Sequence, residues 1–248
     1  MTAQNPGSAI LTRITQRERD RLKADLLHCL SETPLYNQLI FRGASALHGV
    51  YLHERYSEDL DFFALPALAD GFVSAIHEAG IMLEERPNAV PVYACRGAVH
   101  MRVELGVDVI AMHYPEEHFL VPQAGIYQAI NGETAPVRTY PLPALLARKL
   151  RYVMRRRFAV DFYDLWVGLE KHPECAPEMQ EIVRRREAGS QGGERYRAEG
   201  ALANLDGLEA TWHNELYALM PCVPAFESVR RDLTHWLPLF EAGRKSLG

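Results

Sequence analysis

The hydrophobic pattern of this chain changes period near Thr139, and no other feature restricts the fold as strongly. Before that point, short apolar runs with strand-like alternation are interspersed with helical segments. From Pro141 onward, apolar residues recur at helical spacing. The pattern therefore predicts an α/β domain over residues 1–139 and a helical domain over residues 140–248.

Predicted helices and strands alternate along the first half. The predicted helices are about Thr15 to Ser31, Ala44 to Tyr51 and Pro66 to Gly80. The predicted strands are Leu39 to Phe41 and Tyr56 to Phe63, followed by a hairpin of Val92–Ala94 with Val99–Ile110. A mixed α/β architecture follows from this alternation.

Composition excludes several classes of protein. The chain has 248 residues and is 48% hydrophobic, which is enough to bury a core. It has no apolar stretch of signal-peptide or membrane-spanning length, so we expect a cytoplasmic protein without a membrane partner. The four cysteines form no CxxC pair, which argues against a zinc knuckle or a disulfide framework. A net charge of -5 argues against a broad nucleic-acid surface, although the triplets Arg155–Arg157 and Arg184–Arg186 could line a local basic groove.

The segment SEDLDFF carries the strongest chemical signal. Side chains two apart on a strand share a face, so Ser57, Asp59 and Asp61 point one way while Leu60 and Phe62 point the other. Two such carboxylates lie roughly 6 to 7 Å apart at Cα and can converge on one or two hard cations. The alternative is an ordinary acidic pair on a solvated strand.

A glycine turn precedes this strand. The strand ending at Phe41 runs into Gly43 and Ser45 at the start of a predicted helix. A helix N-terminus suits a triphosphate, because it offers free backbone N–H groups and the positive end of the helix dipole. Gly43 would let the backbone come close and Ser45 would donate to a phosphate oxygen, unless the two form only a turn and a cap.

Two charged positions stand out in the helical half. Lys149 falls within the apolar half of a helical wheel formed by Leu142, Leu145, Leu146, Leu150, Val153 and Met154. A lysine there needs an anionic partner or a route to water, so it pairs with a structural carboxylate, extends to solvent or contacts a triphosphate. Asp161 and Asp164 lie on the narrow polar face of the next helix, which should meet a polar cavity or an arginine.

These motifs together resemble the nucleotidyltransferase-fold AbiEii/AbiGii toxin family, which includes the MenT toxins. In that family a "GGTAL" or "GSxxL" turn precedes "RxSxDxDF", and LIFRGASALHGVYLHERYSEDLDFF is similar to both. The family pattern "LxxKLxAL…R…RDxYDL" is matched by Lys149, Asp161 and Asp164 with their apolar neighbours. Two positions depart from the family. Ala44 stands where a second glycine is usual. Val160 stands where an arginine is usual, which suggests that Arg157 takes the role of that arginine or that the role is lost.

The resemblance implies a polymerase-β-like nucleotidyltransferase core, with the helical domain completing the active cleft. Asp59 and Asp61 would hold Mg²⁺ on a nucleoside triphosphate contacted by Gly43, Ser45, Ser57 and Lys149. Such transferases usually need a third carboxylate, and the strand HMRVELGVDVI offers Glu104, which we favour, and Asp108. Asp161 would orient or deprotonate the attacking hydroxyl, unless Glu104 or Asp108 does so.

The resemblance further implies transfer of a nucleotide to RNA, with the acceptor end of a tRNA as the expected target and a cognate antitoxin as partner. One alternative is a small-molecule nucleotidyltransferase of the antibiotic-modifying kind, which needs the same metal site but an acidic acceptor pocket. The other alternative is a protein of the same fold that binds nucleotides without catalysis.

Overall fold

The computed structural model describes residues 6–64, 77, 82–84, 92–96, 99–107, 121–189 and 195–241. Contacts divide them into two compact units. The first unit holds the described residues up to 107 together with 121–140, and the second holds the described residues from 141 onward. None of the described helices combines the length and the apolar character that a membrane span requires.

The first unit is organised around a mixed sheet. Its helical segments are α1 (Pro6–Ser31), a 3₁₀ turn (Pro34–Gln38), α2 (Gly43–Ala46) and a π-helical turn (Leu47–Leu52). Its strands are β1 (Leu39–Arg42), β2 (Asp59–Ala64), β3 (Met82–Glu84), β4 (Val92–Arg96), β5 (Val99–Val107), β6 (Gln123–Gln128) and β7 (Thr134–Thr139). Across the described strands the order is β3-β4-β5-β2-β1-β7-β6. The acidic strand β2 therefore lies in the middle, antiparallel to β1 and parallel to β5.

The two faces of β2 carry different residues. Phe62 packs on Phe41 of β1 with ring centroids 5.6 Å apart, and Leu27 of α1 lines a common cavity with both. Helix α1 thus covers the apolar face of the sheet, where burial of leucine and phenylalanine supplies most of the stabilisation. Asp59 and Asp61 alternate with these apolar residues and lie on the opposite face, as their spacing predicts.

Several predicted elements differ from those observed. The acidic strand begins at Asp59 and not at Tyr56, because pairing with β5 starts there and the Ser57 carbonyl accepts a side-chain hydrogen bond from Lys23. Strands β6 and β7 were not predicted, since Gly125 and Pro136 weaken the strand pattern of an edge hairpin. The predicted helix at Pro66 to Gly80 lies outside the described residues apart from His77, which is helical.

The second unit is helical. Its helices are α3 (Leu142–Arg155), α4 (Ala159–Lys171), α5 (Ala176–Gly189), α6 (Ala198–Asp206), α7 (Trp212–Leu216) and α8 (Phe226–Trp236), with 3₁₀ turns at Pro173–Cys175 and Leu237–Phe240. Helix α3 has a strongly amphipathic sequence and packs against α4, α5 and α6. Its packing places Lys149 at 6% relative exposure, in line with its position on the apolar arc.

Candidate active site

Gly43 and Asp61 form a close backbone-to-carboxylate contact at the end of β1. Gly43 has a φ of +75°, which glycine adopts without strain. A Cβ atom at this position would lie 2.1 Å from Asp61 Oδ2. Antiparallel pairing of Arg42 with Asp61 brings the two together. Glycine is therefore required here both for the backbone conformation and for the space that the Asp61 carboxylate occupies.

Ser45 joins α2 to the acidic strand. Its side chain is buried, and its hydroxyl donates to the main-chain carbonyl of Asp59. The predicted role was donation to a phosphate oxygen. Here the hydroxyl proton is directed at the protein backbone, so Ser45 fixes the position from which the Asp59 side chain extends.

The neighbouring strand β5 supplies the polar partners of β2. Its parallel register places Glu104 beside Asp61 and Arg102 beside Asp59. The Arg102 guanidinium donates to Asp59 Oδ2, with side-chain exposures of 40% for the arginine and 30% for the aspartate. The alternative third carboxylate, Asp108, lies outside the described residues. Within the described chain, no three His, Cys, Asp or Glu side chains already form a cluster of metal-ligand type.

Lys23 of α1 is a buried cation next to this acidic strand that sequence reasoning missed. It is 1% exposed and donates from Nζ to the main-chain carbonyl of Ser57, two residues before Asp59. Burial lowers the pKa of Lys23 to about 8, against the attraction of Asp20, Asp59 and Asp61. The signal was present in the sequence, since Lys23 shares the apolar arc of α1 with Leu26, Leu27 and Leu30, just as Lys149 shares that of α3.

Lys149 lies between two buried carboxylates in the second unit. Its Nζ atom is 2.7 Å from Asp161 Oδ1 and 2.7 Å from Asp164 Oδ2. The lysine side chain is 7% exposed and both aspartates are 0% exposed. The sequence left three roles open for Lys149, and the structure shows one of them: the lysine pairs with two carboxylates, Asp161 and Asp164, in one ion-paired cluster.

Arg156 extends this cluster towards solvent. Its Nε donates to Asp161 Oδ2 at 2.6 Å and its Nη2 to Oδ1 at 3.0 Å, a bidentate arrangement. Its guanidinium also stacks 4.2 Å from the Tyr152 ring centroid. Arg157, one candidate to replace the family's arginine where Val160 stands, instead lies against Gly207. Spacing alone could not separate the two, because both follow the end of α3 in an extended segment.

The chain is similar to one described protein family and to several proteins of known structure. The family model described as "Nucleotidyl transferase AbiEii toxin, Type IV TA system" matches residues 25–234. MenT4, a nucleotidyltransferase toxin from Mycobacterium tuberculosis H37Rv, is 21% identical with a TM-score of 0.59, covering 90% of this chain and 84% of that one. JHP933 from Helicobacter pylori is 16% identical with a TM-score of 0.52, covering 91% of each chain. A search of curated protein sequences found no match.

These comparisons bear on the fold and on the family. At such low identities the structural likeness establishes the fold, and it confirms the predicted class, an α/β nucleotidyltransferase core with a C-terminal helical domain. The family match includes Gly43, Asp59, Asp61, Lys149 and Asp161. Lys23 precedes the matched range.

Proposed function

The chain belongs to the AbiEii family of nucleotidyltransferase toxins and is therefore a nucleotidyltransferase; we propose that it transfers a nucleotide from an NTP to RNA. The proposed acceptor is the 3′ end of a tRNA, and the proposed partner in the cell is a cognate antitoxin. The observation that carries the proposal is the acidic strand, in which Asp59 and Asp61 share a face beside the glycine turn at Gly43.

We propose Mg²⁺ as the cofactor, since nucleotidyltransferases generally use a divalent metal. Carboxylate oxygens are the ligands that this hard cation prefers. The residues fit such a group, because Asp59 and Asp61 lie on one face of β2 and the missing Cβ of Gly43 makes room for the Asp61 carboxylate. Asp59 and Asp61 would hold the metal, with Glu104 as the proposed third ligand from its register position beside Asp61. When bound, Mg²⁺ would neutralise charge on the triphosphate.

The proposed reaction is an in-line displacement. The acceptor hydroxyl oxygen forms a bond to the α-phosphorus, the bond between that phosphorus and the bridging oxygen breaks, and pyrophosphate leaves with the electron pair. The hydroxyl proton passes to a carboxylate base, for which Glu104, Asp108 and Asp161 are the candidates. Both carboxylate oxygens of Asp161 already accept hydrogen bonds, from Lys149 and from Arg156. Its surroundings therefore favour orientation over proton transfer.

Lys149 is retained as a proposed triphosphate contact. An ammonium held by Asp161 and Asp164 is fixed in position, and a fixed cation loses little entropy when an anion arrives. The partly exposed Arg156, which pairs with Asp161, would be a second cation for the triphosphate. A nucleotide titration of Lys149→Met tests this role directly: unchanged affinity would leave the lysine with its ion pairs alone.

An exposed basic and aromatic segment supports RNA as the acceptor. Arg155, Arg156 and Arg157 are all exposed, Arg156 while paired with Asp161, and they are followed by Phe158, a residue that is 51% exposed. Arginines beside an accessible aromatic ring suit single-stranded nucleic acid, because the bases stack and the phosphates pair with guanidinium groups. The overall charge of -5 makes this local concentration of arginine stand out.

The decisive experiment compares acceptors directly. Purified protein is incubated with each labelled NTP, Mg²⁺ and either total RNA or a panel of aminoglycosides, and the products are identified by mass spectrometry. We expect added nucleotides on RNA with wild type, none with Asp61→Asn, and full activity with Glu58→Gln, which changes an exposed acid immediately before the acidic strand. Modified aminoglycosides without modified RNA would overturn the RNA assignment, and full activity of Asp61→Asn would overturn the metal site.

A further inference from the structure

Arg102 of strand β5 contacts the acidic pair at Asp59. Its guanidinium donates to Asp59 Oδ2, and the parallel register holds the two residues side by side. Both side chains are partly exposed, at 40% for Arg102 and 30% for Asp59. An ion pair this accessible to water is weak, so the arginine can change partners at little cost.

Lys23 of α1 is a second cation near the acidic pair, and it differs from Arg102 in its burial. It is 1% exposed and its ammonium is tied to the Ser57 carbonyl, where it is attracted by Asp59 and Asp61. A buried lysine held by the backbone cannot move away when the charge at the acidic pair changes. Arg102 can move, because 40% of its long side chain is exposed to solvent.

We propose that Arg102 serves two partners in turn: it holds Asp59 in the nucleotide-free protein and moves to the triphosphate once Asp59 is engaged by a divalent cation. The inference rests on the proposed function, in which Asp59 is a metal ligand. A guanidinium is suited to the second role, because its planar set of donors pairs with phosphate oxygens in a bidentate manner. Arg102 thereby becomes a nucleotide-binding residue.

The two roles have opposite effects on binding. In Arg102→Met, the cation no longer competes with a guanidinium for Asp59, so cation binding should become about 2 to 5-fold tighter, the range of an exposed ion pair. Nucleotide binding should weaken on the order of 10 to 150-fold, because a charge-assisted contact is lost. A purely structural role for Arg102 would not move the two affinities in opposite directions.

The test is calorimetric and needs no turnover. Mg²⁺ alone, and then a non-hydrolysable α,β-methylene nucleotide in the presence of Mg²⁺, are titrated into wild type, Arg102→Met, Arg102→Lys and Asp61→Asn. Arg138→Met is the matched control, since this arginine of β7 donates to the Asn37 carbonyl and makes no contact with the acidic pair that the structure records. Arg102→Lys keeps the charge and loses the bidentate guanidinium, so its affinities for Mg²⁺ and for the nucleotide should fall between those of wild type and Arg102→Met. If the methionine variant folds poorly, the lysine variant alone still tests whether the two affinities change in opposite directions.

Failure of the inference and failure of the proposed function are distinguishable. If wild type binds Mg²⁺ and Asp61→Asn does not, while both Arg102 variants keep wild-type affinities or lose both, the exchange of partners is wrong and the metal site stands. If wild type itself binds no Mg²⁺, both the metal site and the exchange are overturned.

Discussion

At the scale of single residues, Gly43 links the glycine turn that follows β1 to the acidic strand β2. We expect Gly43→Ala to abolish cation binding and nucleotide transfer, because the new Cβ would meet Asp61 Oδ2 at 2.1 Å and push the carboxylate aside. It should also lose roughly 1 to 2 kcal/mol of stability from the positive φ. Urea unfolding and Mg²⁺ titration measure the two effects.

Gly132 provides the matched control for this substitution. It also has a positive φ, of +90°, but a Cβ there would meet nothing within 4 Å. Gly132→Ala should therefore show a similar backbone cost and keep full Mg²⁺ binding. Equal loss of binding in both variants would mean that strain, and not the position of Asp61, explains the effect.

Lys149 allows a prediction of stability. Lys149→Met should lower the free energy of unfolding by about 3 kcal/mol or more, because Asp164 and Asp161 stay buried after losing a cation. Lys171→Met, which removes an exposed lysine from α4, should change it by less than about 0.5 kcal/mol. Chemical unfolding of both variants decides the matter, and an unchanged midpoint for Lys149→Met would show that the buried pairs contribute no net stability.

Residue patterns predicted some contacts of the site and not others. Strand alternation was sufficient to place Asp59 and Asp61 on one face, and the helical wheel was sufficient to predict that Lys149 needs a partner. Neither pattern identifies partners distant in sequence. The contacts of Lys23 with Ser57 and of Arg102 with Asp59 depend on how α1 and β5 pack against β2, which only the tertiary structure fixes.

At the scale of elements, α1 is joined to the start of β2 by one buried lysine. Burial lowers the pKa of Lys23 from 10.5 to about 8. Between these two values the unfolded chain binds more protons than the folded protein, so stability rises with pH across that window. Relative to Lys23→Met, wild type should gain at most about 1.4 kcal/mol per pH unit there and show a constant difference at lower pH.

The measurement is a series of urea unfolding curves for both proteins between about pH 7.5 and 9.5. Subtracting the methionine variant removes the contributions of tyrosines and cysteines, which titrate in the same range in both proteins. Leu26→Met, at a fully buried neighbour on α1, serves as control and should run parallel to wild type. Parallel curves for wild type and Lys23→Met would contradict a lowered pKa at this position.

Element patterns were informative in the centre of the sheet and weak at its edge. Strands β1, β2 and β5 have clear apolar positions because α1 packs on this part of the sheet. The β6–β7 hairpin was missed, since Gly125 in the edge strand β6 and Pro136 in β7, which pairs with β1 only at Thr139, weaken the strand pattern. Its position is secured by a tertiary contact, in which Tyr127 donates from its hydroxyl to Asp20 of α1 at 2.6 Å.

At the scale of the whole molecule, membership of a toxin family makes growth the informative measurement. Controlled expression of the wild-type chain in a bacterial host should slow growth, because modification of an essential RNA removes it from translation. Asp59→Ala should allow growth like that of the empty vector, since it removes a proposed metal ligand from the acidic face of β2. Glu58→Ala deletes an exposed acid at the adjacent position and should remain as toxic as wild type.

Immunoblots must show equal amounts of the three proteins, so that differences in growth report activity and not abundance. If wild type and Asp59→Ala slow growth equally, toxicity is independent of the acidic pair and the proposed chemistry does not cause it. If neither slows growth while the purified enzyme still modifies RNA, the transfer reaction stands and the chain does not act as a toxin in that host.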